Sequence, residues 1–145
     1  MEFTYPKKLR FKCIKCALCC GDTENRTRTI LMLKTEVEKI ATKTKMRPES
    51  FVEEVKGFEP YAYMMRKNAN GKCIFLNKNR CTIYAYRPLI CRFYPFELKG
   101  TSNGAYTFNY TEECPGIGKG NPLEKSFFEK LFKRFGKMMA KNTQV

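Results

Sequence analysis

Four cysteines fall within eight residues, at Cys13, Cys16, Cys19 and Cys20, and four more follow at Cys73, Cys81, Cys91 and Cys114. This spacing constrains the chain more than any other feature. Four thiols beside Lys12, Lys15 and Gly21 do not read as inert core cysteines, which behave as small buried hydrophobes. A disulfide framework suits short secreted chains denser in cysteine than this one, and the sequence opens without an apolar stretch of signal-peptide length. Metal or cluster ligation is the remaining reading. In Cys13-x2-Cys16-x2-Cys19 a short loop folds round one centre and presents three thiolates to it, with a last ligand arriving from a distant cysteine next to proline. Cys114 is followed by Pro115, so that arrangement is available here.

The chain has no histidine, which excludes histidine zinc ligands and histidine acid–base catalysis. Zinc sites more often pair one CxxC with a second, and no second CxxC is present. The pattern therefore leans toward one or two 4Fe–4S clusters, with zinc held by four thiolates as the alternative. Neighbouring side chains diverge, so Cys19 and Cys20 are expected to serve different centres, or one of them to be spare. Gly21 after that pair lets the backbone come close to a centre and aim an N–H at a sulfur, or is simply a turn residue.

At 145 residues the chain is the size of one domain. Its Lys and Arg outnumber Asp and Glu 28 to 14, a formal net charge of +14. The surplus is spread along the chain, densest at Lys7, Lys8, Arg10, Lys12 and Lys15. Such a balance favours anionic partners without specifying one. The apolar runs are too short to span a bilayer, and the expected location is the cytoplasm, where ligating thiols stay reduced.

The expected architecture is α+β: residues 1–120 form a cysteine-cluster domain with a β-hairpin or short sheet and several helices, and 121–145 form an amphipathic helix. Thr29 to Leu33 reads as a strand. Thr35 with Glu38 reads as a capping box for a helix whose inner face is Val37, Ile40 and Ala41. Pro48 is expected to open a second helix with Phe51, Val52 and Val55 inward. Residues 61–66, Cys73 to Leu76 and Tyr106 to Tyr110 read as strands, with Asn70-Gly71 as a tight turn, and Pro88 is expected to open a short helix carrying Cys91. Asn121-Pro122 reads as the cap and first turn of the last helix. There Phe127, Phe128, Leu131, Phe132, Phe135, Met138 and Met139 share one face, with Lys125, Lys130, Lys133, Arg134 and Lys137 mostly opposite. That face either packs on the domain or docks a partner through Phe128, Phe132, Phe135 and Met139.

The string from Phe11 to Gly21 resembles the opening of the YkgJ-like CxxCxxCC cysteine-cluster family. So do Cys73-Ile-Phe-Leu, Cys81-Thr-Ile-Tyr84 and Arg87-Pro88-Leu-Ile-Cys91-Arg92-Phe-Tyr-Pro95-Phe96, and the resemblance covers residues 11–115. It implies zinc or iron chelation by Cys13, Cys16, Cys19, Cys20, Cys73, Cys81 and Cys91, with Cys114 matching less specifically. A related cluster occurs in flagellin lysine N-methylases, but no glycine-rich loop of the kind that binds S-adenosylmethionine is present, and methylase activity is not carried over. Arg87 and Arg92 flank Cys91 and are candidates for compensating an anionic cluster and donating to its sulfurs.

No catalytic residue is nominated, because the carboxylates, with Asp22 the single aspartate, form no acid–base pair. The expected role is an iron–sulfur accessory protein, an electron-transfer or cluster-holding subunit of a larger assembly. The alternatives are a structural zinc adaptor, a basic RNA- or ribosome-associated factor and, last, a methyltransferase-related enzyme.

Overall fold

A computed structural model describes residues 2–14, 17–24, 26–100 and 103–143. Lys15 and Cys16 lie outside the described residues. The fold is small, single-domain and α+β, with four short sheets and three α-helices among the described residues.

One half is built on a three-stranded antiparallel sheet in which β5 (Tyr63–Met65) lies between β3 (Leu31–Met32) and β4 (Val52–Glu54). Helix α1 (Lys34–Thr44) packs Val37 and Ile40 against it, over Met32, Phe51, Val52, Met65, Phe75 and Ile83. Cys20 and Cys73 are buried in this core, and Cys19, Cys81 and Cys91 pack against its edge.

The other half is a sheet ordered β1 (Phe3–Thr4), β9 (Tyr106–Tyr110) and β8 (Phe96–Gly100), joined by the ladder between β2 (Arg10–Phe11) and β10 (Ile117–Pro122). Its core is Leu89, Phe93, Phe96, Phe108 and Phe128. Helix α3 (Lys125–Thr143) lays its apolar face on this sheet. Phe128 is fully buried, with Tyr5, Phe96 and Phe108 each 5.1 Å away between ring centroids. Phe132 and Phe135 meet Tyr106 at 5.4 and 5.6 Å, and Met139 packs on the same core. Of the two expectations for this helix, the geometry is that of a face packed on its own domain.

Helix α2 (Leu89–Phe93) joins the halves: Leu89 and Phe93 enter the second core, while Ile90 and Cys91 pack on the first. The hairpin of β6 (Leu76–Asn77) and β7 (Arg80–Cys81) turns through Lys78 and Asn79, with φ of 51° and 63°. Two successive left-handed residues are what a two-residue type I′ turn requires, and this turn sets Cys81 opposite Leu76.

Four local expectations are corrected. The helix foreseen after Pro48 is one 3₁₀ turn (Pro48–Ser50), followed by β4. The β-branched valines there join a sheet: Val55 N–H donates to the carbonyl of Ala62, and the carbonyl of Phe51 accepts from Arg66. Helix α1 is capped at Leu33, not Thr35: the Glu36 carboxylate reaches back to the Leu33 N–H at 2.9 Å. Cys73 forms only a bridge with Lys67, and regular pairing begins at Leu76. Asn121-Pro122 ends β10 rather than opening α3, because Leu123 N–H is still bound to the carbonyl of Leu9 at 2.7 Å.

Candidate metal centre

The first cysteine run is held by backbone. Ala17, at φ 65°, turns the chain into a 3₁₀ turn (Leu18–Cys20), closed by Cys20 N–H on the carbonyl of Ala17 at 3.0 Å. Cys20 then offers its carbonyl to the N–H of Cys73 at 2.5 Å, joining two segments far apart in sequence. Gly21 is extended and bridges to Lys72; a Cβ there would lie 2.7 Å from Lys72 Cα and 2.8 Å from the carbonyl oxygen of Gly71. The close approach this glycine allows is thus to the hairpin backbone.

Asp22 completes the junction. Its Oδ1 accepts the N–H of Arg28 at 2.6 Å and Lys67 Nζ at 2.8 Å, and its carbonyl accepts Lys72 Nζ at 2.9 Å. The Lys67 ammonium foremost, with the Arg28 N–H, holds the Asp22 carboxyl below its ordinary range. Glu113 plays the same part for the last cysteine: it accepts Thr23 Oγ1 at 2.6 Å and pairs with Arg26 at 2.7 Å, tethering the segment of Cys114 to the first run.

The result is one open cavity of about 1290 Å³. Seven cysteines line it: Cys13, Cys19, Cys20, Cys73, Cys81, Cys91 and Cys114. Cys13 is exposed and Cys114 is buried. Cys16 was expected among them and lies outside the described residues.

Five of the thiols form one electrostatic cluster. Cys19 and Cys20, expected to diverge, have their sulfurs 3.9 Å apart, because the 3₁₀ turn folds one back toward the other. Cys20 and Cys81 also act on each other's titration. The interactions with Cys19 and Cys81 push the Cys20 thiol up, and the interaction with Cys20 pushes Cys19 and Cys81 down. Burial pushes Cys73 up to about 11, despite the N–H of Phe75 3.5 Å from its sulfur. Burial raises Cys91 as well, with Cys19, Cys73 and Cys81 adding repulsion.

Arg28 is the cation of this cluster, and sequence reasoning missed it. Its charge lowers Cys19, Cys73 and Cys91. Nε donates to the Cys19 carbonyl at 3.1 Å, the guanidinium lies 5.1 Å from the Tyr94 ring centroid, and the buried Nη2 has no hydrogen-bond partner among the described residues. Nothing in its spacing marked it, since it reaches the thiols only through the turn after Asp22. Arg87 donates Nη1 to the carbonyl of Tyr84 at 2.7 Å, and its charge also lowers Cys19 and Cys81. Arg92 donates Nη2 to the carbonyl of Ala85 at 2.8 Å and sits by Arg134 of α3.

The donor set fits a metal centre. Thiolates are soft, anionic ligands, and a buried guanidinium with a spare N–H complements the charge they bring. On one tetrahedral zinc, thiolate sulfurs stand about 3.8 Å apart, which the Cys19–Cys20 edge matches. Among the described residues, no three cysteine or carboxylate side chains close to single-ion geometry.

The family model titled "CxxCxxCC: Putative zinc- or iron-chelating domain" matches residues 12–115. The chain belongs to the CxxCxxCC family. That membership supports metal binding, of zinc or of iron. Uncharacterized protein MJ0661 of the archaeon Methanocaldococcus jannaschii is 33% identical to this CxxCxxCC chain over 133 residues, spanning 86% of this chain and 68% of its own length. Uncharacterized protein MJ0939 of the same organism is 28% identical over 129 residues, and the match spans 42% of its length. No solved structure matches the chain. No described helix is long and apolar enough to cross a membrane.

Proposed function

We propose that the chain holds an iron–sulfur cluster, of the 4Fe–4S type, at Cys19, Cys20, Cys73, Cys81 and Cys91. Cys13, Cys16 and Cys114 are the further thiols from which a second cluster would draw. One observation carries this reading: five thiols form one cluster, and Arg28 acts on three of them, Cys19, Cys73 and Cys91, with its buried Nη2 left without a partner among the described residues. A cluster's thiolate ligation is net anionic, and a fixed cation with a free N–H stabilises it and raises its reduction potential. When bound, the cluster supplies one-electron chemistry. The protein's share is to position the thiols on backbone already tied together, to place Arg28 beside them, and to cover the site with α2 and α3. The role that follows is an electron-transfer or cluster-holding subunit in a reducing cytoplasm.

The Cys19–Cys20 spacing of 3.9 Å favours a second reading, a structural zinc ion held by thiolates. Metal and acid-labile sulfide per chain, with a visible absorption spectrum, on protein purified without oxygen decide between them. About four or eight iron atoms with matching sulfide per chain are expected. Stoichiometric zinc without sulfide would replace the cluster by the zinc reading.

A further inference from the structure

We propose that the mouth of the cysteine cavity binds a small polyanion, a molecule bearing phosphate groups or several carboxylates, gripped by Arg87, Arg92 and Arg134. The inference goes beyond metal binding and holds whether the thiols carry iron or zinc.

The charge on this wall is one-sided. Arg87 and Arg92 flank Cys91, and α3 adds Lys130, Lys133, Arg134 and Lys137. No described Asp or Glu lines the cavity. The ion pairs of the described residues are Arg26–Glu113, Arg66–Glu53 and Lys67–Asp22, so none of these six cations is in one. Like charges gathered on one wall without a carboxylate among them favour a bound anion.

Two of the three guanidiniums are already fixed. Arg87 is anchored on the carbonyl of Tyr84, with its guanidinium 3.9 Å from that residue's ring centroid. Arg92 is anchored on the carbonyl of Ala85. An arginine has five N–H donors, so each keeps several for a ligand while its ordering cost is already met by the fold. Arginine forks recognise phosphate and carboxylate in two-pronged fashion.

The shape selects a small molecule. The cavity's volume of about 1290 Å³ exceeds the roughly 300–1,000 Å³ of ordinary ligand pockets and leaves room beyond a metal centre. Phe127, Leu131 and Met138 of α3 supply apolar wall for the body of such a ligand. Of these arginines Arg87 also acts on Cys19 and Cys81, but it is the lesser cation at Cys19. Arg28 is the foremost cation acting on Cys19, Cys73 and Cys91.

The test is calorimetric titration of the protein as purified, metal included, with inorganic pyrophosphate and with citrate. Metal content is measured on every sample. Saturable binding is expected, weaker at about 0.2 M than at 0.05 M salt. Arg92→Gln and Arg134→Gln should each weaken it about tenfold with metal content unchanged. Exposed Lys7 and Lys8 do not line the cavity, so Lys7→Gln with Lys8→Gln should leave binding as it was. Intact binding in a chain found to carry no metal upholds the anion site while removing the metal reading. The proposal is overturned by absence of saturable binding, by equal weakening in the Lys7/Lys8 variant, or by metal loss accompanying the Arg134→Gln effect. It is likewise overturned if an RNA oligonucleotide or acidic peptide binds and pyrophosphate does not displace it.

Discussion

The Glu36 carboxylate, buried at 5% exposure, accepts the backbone N–H of Leu89 at 2.5 Å through Oε2 while Oε1 accepts the N–H of Leu33. One side chain thereby supplies the missing acceptor at the start of two helices, α1 and α2, and sets where Cys91 stands. Removing it as Glu36→Ala leaves two N–H groups of the core without a partner, each costing about 1–3 kcal/mol. The expected outcome is a loss of about 2–4 kcal/mol in chemical denaturation, together with reduced metal content. An unchanged denaturation midpoint would show that the two helix starts do not depend on this carboxylate.

Glu36 also predicts a pH dependence. Burial pushes its carboxyl above the ordinary 4.5, outweighing the N–H groups of Leu33 and Leu89 and the charge of Arg92, which pull it down. In the window between 4.5 and the raised value, the folded chain holds a proton that the unfolded chain has released. Stability contributed by this group is therefore complete below the window and falls as pH rises through it. Glu36→Gln removes the titration, so the wild type should lose ground to it as pH rises above 4.5 in paired thermal melts. A melting difference flat with pH would refute the burial argument.

Gly21 is a position where one methyl group matters. The Cβ of Gly21→Ala would lie 2.7 Å from Lys72 Cα and 2.8 Å from the Gly71 carbonyl oxygen, so backbone must shift. The cost should be about 1–3 kcal/mol, and the shift pulls on the Cys20–Cys73 hydrogen bond. Metal content should fall with stability. Gly57→Ala, where nothing stands within 4 Å but φ is 87°, is the comparison: it strains only its own turn and should leave metal content intact.

Phe128 anchors α3. Phe128→Ala empties a fully buried site ringed by Tyr5, Phe96, Phe108 and Phe127. A loss of about 3–5 kcal/mol is expected, with faster proteolysis of residues 125–143. Phe135→Ala, on a half-buried ring, should cost clearly less. Equal effects would place the anchor of the helix elsewhere along its apolar face.

Arg28 separates the metal centre from its surroundings. Arg28→Met keeps much of the apolar stem and removes the charge and the spare Nη2. For a bound cluster, a shift of the reduction potential to lower values is expected, measured by redox titration of the visible spectrum. An unshifted potential would mean that this guanidinium does not act on the bound centre.

Much of this protein was legible from residue spacing. The cysteine pattern pointed to metal chemistry, and the 3.6-residue periodicity of α3 gave its apolar face, because both are local properties of sequence. The inner face of α1, the strand at Tyr106–Tyr110 and the short helix carrying Cys91 were legible for the same reason. The helix expected from Pro48 was not realised, since Val52 and Val55 found sheet partners that no local rule could see. The cap of α1 fell on Leu33, because the carboxylate that serves it also serves Leu89, 53 residues further along the chain. Arg28 and Glu36 stayed invisible because their roles depend on what stands across from them. By itself the sequence determined which thiols are available and which faces are apolar. Only the tertiary structure decided that Cys19 and Cys20 converge, that Arg28 is the counter-charge of Cys19, Cys73 and Cys91, and that Arg87, Arg92 and Arg134 line one cavity. Burial and long-range backbone pairing set those relationships, and neither is written in any short stretch of residues.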